Sequence, residues 1–189
     1  MEKKNKMTVK SMVMAGMFAA VLAVLSQISI PMPSGVPVTL QTFAVALTGF
    51  VLGWKLGGMA VVIYVLLGAV GVPVFANFNG GIGVLVGTTG GFIWGFILMV
   101  LLCGLGTAQK SKVMTGIFSA LGLAVCHLAG ILQFCGVMGM GFAQSALLVS
   151  VPYLVKDIIS VVLAFLVGVV IRRYLNAANI LTYERAKQA

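Results

Sequence analysis

Two adjacent charged side chains, Lys156 and Asp157, interrupt the apolar segment "PYLVKDIISVVLA". A charge at the centre of a membrane-spanning helix costs on the order of 2.5–3.5 kcal/mol even on a lenient insertion scale. Neighbouring residues on a helix point about 100° apart, so we expect no simple self-neutralising bridge, and one side chain or both must find a partner elsewhere. An ionisable pair in such a segment is a candidate functional site, and a buried structural pair is the alternative.

A second group of polar side chains comes from the segments "PVTLQTFAV" and "PVFANFNGGIG". The first carries Thr39 and Gln41, and the second carries Asn77 and Asn79 between Phe75 and Phe78. Carboxamides beside aromatic rings suit a small, partly apolar ligand with hydrogen-bonding edges. A plain external loop and side chains that bond only to neighbouring helices are the alternatives.

The remaining reactive side chains form no catalytic pattern. His127 is the one histidine, with no carboxylate near it in sequence, and we expect it to hydrogen-bond within the helix bundle. The chain contains no G-x-S-x-G motif and no Gly-Lys dipeptide, so a nucleophile elbow and a Walker A loop are both excluded. Its three cysteines match no metal or redox spacing. We therefore expect no enzyme, no catalytic residue, no metal site and no cofactor.

Composition identifies the class of protein that must position these residues. Of the 189 residues, 61% are hydrophobic and 8% are charged, and the mean hydropathy is +1.16. A soluble domain has about a quarter of its residues charged, and this chain has several apolar runs of roughly bilayer-spanning length. The net charge of +9 is concentrated around the apolar runs, which fits topology signals and not a nucleic-acid surface. The sequence predicts an all-α integral membrane protein in the lipid bilayer.

Prolines, glycines and polar loops divide the chain into six predicted transmembrane helices within one domain, 1–189. The helices span about 11–30, 38–53, 57–70, 90–105, 113–134 and 152–171, and 172–189 form a cytoplasmic tail. The turn "GWKLG" separates the second and third helices. A single bundle with no internal repeat is expected.

The basic residues predict one orientation of this bundle. The connections at about 31–37, 71–89 and 135–150 contain no lysine or arginine, so they are assigned to the outer face. Both termini are then cytoplasmic, and the polar residues near 39–41, 77–79 and 156–157 gather near the extracellular face. The basic residues assigned to the cytoplasmic side are Lys3, Lys4, Lys6, Lys10, Lys55, Lys110, Lys112, Arg172, Arg173, Arg185 and Lys187.

Small residues form a stripe on the first helix. Ala15, Ala19 and Ala23 recur every four residues, a spacing that allows another helix to approach closely. The partner helix could belong to another subunit or to the same bundle. Gly87, Gly91 and Gly95 form a similar stripe on the fourth helix, for which we favour packing within the bundle.

Three segments together resemble the BioY family of biotin-specific S components of energy-coupling factor (ECF) transporters. They are "PVTLQTFAVALTGFVLGWKLG", "LLGAVGVPVFANFNGGIGVLVGTTGGFIWGF" and "PYLVKDIISVVLA", and the similarity runs from the first helix through the sixth. The resemblance implies a six-helix bundle in the bacterial cytoplasmic membrane that captures extracellular biotin with high affinity in a pocket near the outer face. It also implies an ECF module as partner, formed by a transmembrane coupling subunit and two ATPase subunits. An S component for another vitamin and a solitary biotin facilitator are the alternative functions.

The resemblance also implies roles for individual residues. The family's A-x-x-x-A contact to the coupling subunit maps onto Ala15 and Ala19. Its sixth-helix motif has an acid followed three residues later by a lysine; Asp157 matches the acid, but Ser160 occupies the lysine position. The basic role is then kept, moved to Lys156 or lost.

The chemistry of biotin suggests how the ligand would be held. Its ureido ring offers two N–H donors and a carbonyl, which suit a carboxylate and carboxamides, and its carboxylate suits a lysine. The apolar rings suit aromatic side chains. The candidate ligand-binding residues are Asp157, Lys156, Asn79, Asn77, Gln41, Thr39, Phe75, Phe78, Gly80, Gly81, Trp94 and Tyr153.

Overall fold

A computed structural model describes residues 8–109 and 111–181 as a predominantly helical bundle. Six of the basic residues assigned to the cytoplasmic side lie outside the described residues: Lys3, Lys4, Lys6, Lys110, Arg185 and Lys187. The α-helices of the described residues are α1 (Val9–Ser26), α2 (Gln41–Ala69), α3 (Ile82–Val86), α4 (Gly90–Ala108), α5 (Lys112–Met138), α6 (Phe142–Val149) and α7 (Val151–Ala177).

Five of these helices, α1, α2, α4, α5 and α7, are long and apolar enough to cross a membrane. Their ends follow local chemistry. The hydroxyl of Thr8 caps α1 by accepting a hydrogen bond from the Ser11 N–H at 3.3 Å, and Pro152 lies in the first turn of α7, where its missing N–H costs nothing. Gly139 ends α5 in the left-handed conformation with φ 65°. The chain is a multi-pass membrane protein.

The helix α2 reverses direction at Gly53. This residue has φ 74° and ψ −179°, a conformation that favours glycine. The Gln41 Nε2 donates a hydrogen bond to the Tyr64 Oη at 2.7 Å, although 23 residues separate them. A straight helix would hold these residues about 35 Å apart. The segments 41–52 and 54–69 are therefore antiparallel, and helix resumes at Trp54 instead of after the longer turn that the sequence predicts.

Short elements replace the predicted outer ends of the first two helices. The prediction extends the first helix to residue 30 and starts the second at 38. The structure ends α1 at Ser26 and pairs β1 (Ser29–Ile30) with β2 (Val38–Thr39), antiparallel and with Ser29 opposite Thr39. Prolines 31, 33 and 37 cannot supply N–H groups to a helix here, so the chain forms a hairpin instead.

Three helices are longer than predicted, and two short ones were missed. The helix α4 reaches Ala108 and α5 reaches Met138. The helix α7 reaches Ala177, so that part of the predicted tail is helical. The helices α3 and α6 lie in segments predicted as connections, because five and eight residues are too few to give a clear apolar period.

Close contacts at glycines fix α4 in the centre of the bundle. A Cβ atom on Gly91 would lie 2.3 Å from the Ala129 carbonyl oxygen, and one on Gly95 would lie 2.8 Å from the Cys126 Cα. A Cβ atom on Gly104 would lie 2.3 Å from the Trp54 nitrogen. Gly91 and Gly95 thus pack within the bundle as predicted, through backbone approach that only glycine permits.

The alanine stripe on α1 faces the bundle interior. Ala15 and Ala19 are 0% and 2% exposed within the core, and Ala23 is half-buried against the same core. This arrangement corresponds to packing within the same bundle, one of the two alternatives that the sequence leaves open for this stripe. The small residues that α1 exposes are Gly16 and Ala20.

Candidate ligand-binding site

A cavity of about 320 Å³ opens among the start of α2, the 75–89 connection, α4 and the start of α7. Its size falls at the lower end of the roughly 300–1,000 Å³ typical of small-molecule sites. Eight of the predicted site residues line it: Thr39, Gln41, Phe75, Asn77, Asn79, Tyr153, Lys156 and Asp157.

Asp157 is the most buried charged group at this cavity, with 5% exposure. Its Oδ2 lies 3.2 Å from the Nε2 of His127 on α5. The other ring nitrogen of His127, Nδ1, shares a 2.9 Å hydrogen bond with the Ser150 hydroxyl at the start of α7. The ring of Phe92 also contacts the imidazole edge-on, with 5.9 Å between centroids. His127 does not line the cavity, so it holds the carboxylate in place from the bundle interior. Residue spacing in the sequence could not reveal this contact.

Lys156 neutralises Asp157 directly, contrary to the expectation from helix geometry. Its ammonium contacts the Asp157 Oδ1 and donates a hydrogen bond to the Thr39 carbonyl oxygen at 2.9 Å. The four-carbon stem of lysine lets the ammonium reach around the helix to the next residue. The Lys156 side chain is 28% exposed and lines the cavity. Ser160, at the position where the family motif has its lysine, is buried and does not line the cavity.

Gln41 and Thr39 form a hydrogen-bonded unit at the start of α2. The Thr39 hydroxyl donates to the Gln41 Oε1 at 3.1 Å, and the Gln41 Nε2 donates to the Tyr64 hydroxyl. Tyr64 in turn packs edge-on against Phe75, with 5.4 Å between ring centroids. Since both ends of the Gln41 amide are engaged, its position in the cavity wall is fixed.

The asparagine loop is held by backbone geometry and by Gln27 of α1. Phe75 and Asn79 pair through the Asn79 carbonyl oxygen at 2.9 Å, and Asn77 adopts φ 58° between them. The Asn77 Oδ1 accepts a hydrogen bond from the Ser29 hydroxyl at 2.6 Å. The Gln27 Oε1 accepts the Phe78 N–H at 2.8 Å. The Asn79 Nδ2 donates a hydrogen bond to the Ala76 carbonyl oxygen at 3.0 Å. Both asparagine carboxamides are thus held beside the cavity, and Gln27 gave no signal in the sequence.

Four predicted site residues lie away from the cavity wall. Phe78 is 71% exposed, and Trp94 is 47% exposed with its Nε1 donating to the Leu85 carbonyl oxygen at 3.2 Å. Gly80 packs against the Gly71 and Val72 carbonyls, where a Cβ atom would lie 2.5–2.9 Å from their oxygens. Gly81 takes φ 95°. The two glycines shape the loop, and neither aromatic ring lines the cavity.

The cavity also contains residues that the sequence analysis did not select. Phe92, Ile93 and Phe96 contribute an apolar wall from α4, and Thr42 and Thr88 contribute hydroxyls. The spacing of Phe92 and Phe96 places them on one helical face, a signal that is equally typical of a packing stripe. The remaining lining residues are Gly35, Val36, Pro37, Ala76, Gly83, Val84, Gly87 and Thr89. The hydroxyl of Tyr153 donates a hydrogen bond to the Val36 carbonyl oxygen.

This arrangement suits binding. It presents a carboxylate, an ammonium, three carboxamides and aromatic surfaces to one cavity. Within residues 8–109 and 111–181, no three His, Cys, Asp or Glu side chains converge as metal ligands would. A ligand with both an apolar body and polar edges matches these groups.

Comparison with known proteins finds relatives that match this chain over most of its length. The profile described as the BioY family matches residues 1–177. The biotin transporter BioY of Thermotoga maritima is 41% identical over 169 residues, covering 87% of this chain and 96% of that protein. The probable biotin transporter BioY of Pyrococcus horikoshii is 38% identical over 162 residues, covering 86% and 96%.

A solved structure shares the fold. The S-component for biotin from an ECF-type ABC transporter, a crystal structure at 2.1 Å, superposes with a TM-score of 0.76 at 24% identity and covers 92% of this chain and 94% of that one. The profile match and the identity to the Thermotoga relative both extend over most of the sequence. The chain is therefore a member of the BioY family.

Proposed function

We propose that this protein is the high-affinity biotin-binding S component of an ECF-type transporter and captures extracellular biotin for import. The observation that carries the proposal is the Lys156–Asp157–His127 cluster, which presents opposite charges to one 320 Å³ cavity of the described residues. The match to the two relatives named as biotin transporters covers 96% of the length of each, which supports the same function for this chain. No catalytic chemistry enters this proposal.

The proposed bundle crosses the membrane six times, because α2 reverses at Gly53 and contributes two crossings. The cavity lies where α2 and α7 begin, and Lys55, Lys112 and Arg172 lie at the opposite helix ends. The positive-inside rule assigns these basic ends and both termini to the cytoplasm. The cavity is then extracellular, within a single transmembrane domain over 1–189.

In this site, Asp157 accepts one ureido N–H of biotin, and a carboxamide of Asn79 or Asn77 bonds to the rest of the ureido group. Each carboxylate oxygen has more than one lone pair, so the contacts to His127 and Lys156 leave acceptor capacity. An ammonium has three donors, and Lys156 uses two on Asp157 and Thr39. Its third donor pairs with the biotin carboxylate. Phe75, Tyr153, Phe92 and Phe96 enclose the apolar rings.

The partner in this proposal is an ECF module of a transmembrane coupling subunit and two ATPase subunits. Since Ala15 and Ala19 are buried, we assign the contact to the outward face of α1 around Gly16 and Ala20. A Cβ atom on Gly16 would have no neighbour within 4 Å, so the protein leaves room for close approach there.

Equilibrium binding of labelled biotin to the detergent-solubilised protein tests the function. We expect unlabelled biotin to displace the label, desthiobiotin and biocytin to compete to differing degrees, and an unrelated vitamin to have no effect. Displacement by the unrelated vitamin as effective as that by biotin would indicate an S component for another vitamin.

A further inference from the structure

A second cleft, of about 190 Å³, lies at the other end of the bundle. It opens between the connection from α4 to α5 and the last turns of α7. Arg172, which lines it, is 15 residues beyond Asp157 on the same helix, or about 22 Å along its axis. The cleft is therefore separate from the biotin cavity, and the proposed function makes no use of it.

The polar half of this cleft is suited to an anion. Lys112 and Arg172 bring two cationic side chains to it from different helices, and among the described residues no carboxylate lines it. Ser111 and Gln109 add a hydroxyl and a carboxamide. Ser111 precedes the first turn of α5, and its hydroxyl accepts no capping hydrogen bond from that turn. Two cations with neutral donors beside them form a setting that a phosphate group fits.

The other half of the cleft is apolar and continuous with the lipid-facing surface. Phe50 and Phe165 meet edge-on with 5.5 Å between ring centroids, and Val169 lies one turn beyond Phe165. On the same helix, Leu166 and Val170 are exposed along the bundle's outer side. A molecule in the cleft would thus place one end on cations and the other along an apolar helix.

We infer that this cleft binds an anionic phospholipid of the membrane leaflet on that side, with its phosphate at Lys112 and Arg172 and an acyl chain along Phe165 and Val169. Basic pockets between transmembrane helices on the cytoplasmic side bind such headgroups. The apolar wall favours a lipid over free phosphate, because free phosphate gains nothing from it. An acidic segment of a partner protein would use the cations and likewise leave the apolar wall unfilled.

Native mass spectrometry of the full chain in detergent tests the inference, with phosphatidylglycerol and phosphatidylcholine as separate probes. We expect wild-type protein to retain phosphatidylglycerol at least fivefold more than the double variant Lys112→Gln, Arg172→Gln. Lys55→Gln is the matched control, because Lys55 is at the same end of the bundle but lies over the Trp54 ring, outside the cleft. This control should retain the lipid as wild type does.

Three further measurements decide the occupant. Val169→Trp should fill the apolar half and lower phosphatidylglycerol retention with both cations intact. Millimolar inorganic phosphate should not displace the lipid; displacement would indicate a free-anion site and overturn the inference. Equal retention by wild type and the double variant, or an equal loss in Lys55→Gln, would also overturn it. Biotin affinity, measured in parallel, should change by less than twofold in every variant, so that failure here is distinct from failure of the proposed function.

Discussion

The Nε2 of His127 on α5 lies 3.2 Å from the Oδ2 of Asp157 on α7. This contact joins two helices beside the cavity and leaves the other carboxylate oxygen to Lys156. A buried carboxylate is stable only when charge and hydrogen bonds compensate its lost hydration. The pair that looks like a costly defect in the sequence is thus one part of a three-residue cluster.

Replacing Asp157 by Asn should weaken biotin binding at least tenfold, or about 1.4 kcal/mol. The asparagine side chain has the shape of aspartate but not its negative charge. It therefore loses the ion pair with Lys156 and the charged acceptor for the ureido N–H. Titration of labelled biotin against wild type and the variant measures the loss.

Replacing Lys156 by Ala should also weaken biotin binding at least tenfold, since it removes the ammonium proposed for the ligand carboxylate. Lys55→Ala is the control, because its ammonium is remote from the cavity. Biotin methyl ester lacks that carboxylate, so its affinity should fall much less in Lys156→Ala. Unchanged affinity for biotin in both Asp157→Asn and Lys156→Ala would refute the site.

Replacing His127 by Ala should destabilise the protein by about 1–3 kcal/mol, because it removes the partner of the Asp157 Oδ2 and of the Ser150 hydroxyl, both of which are buried. Thermal unfolding in detergent measures this change. Ser150→Ala removes only the hydrogen bond at the Nδ1 of His127, so it should destabilise the protein less. A larger loss in Ser150→Ala than in His127→Ala would contradict the positioning role.

Replacing Phe92 by Leu should weaken biotin binding several-fold by opening the α4 wall, whereas Phe78→Leu should leave affinity unchanged. Both rings were equally available to reasoning from sequence, but Phe92 lines the cavity and Phe78 is exposed. Biotin titration of the two variants tests the distinction. A greater effect of Phe78→Leu would place the ligand outside this cavity.

Replacing Gly16 by Leu should reduce copurification of the coupling subunit without changing biotin affinity, because the side chain would project from the outward face of α1. Gly116→Leu on α5 is the matched control, since that glycine is also exposed and has no neighbour within 4 Å of a Cβ position. Equal assembly of both variants with the module would exclude this face as the contact.

The sequence by itself determined the membrane class, the family and most of the polar groups at the site. Length and continuity of apolar runs give the spans directly, because the bilayer core sets a minimum helix length. Lys156 and Asp157 were detectable because ionisable groups in such runs are costly and rare. The two asparagines were detectable because they lie beside aromatic residues in an outer connection. These signals are local, so they can be read without knowing which helices meet.

Only the tertiary structure decided which side chains converge. The His127–Asp157 contact and the Gln27 anchor of the asparagine loop join segments distant in the chain. The inward direction of Ala15 and the outward direction of Phe78 depend on how helices rotate against each other and on local backbone angles. In lipid, hydrophobicity does not distinguish a helix face that meets another helix from one that meets acyl chains. Packing makes that distinction, and packing exists only in the folded bundle.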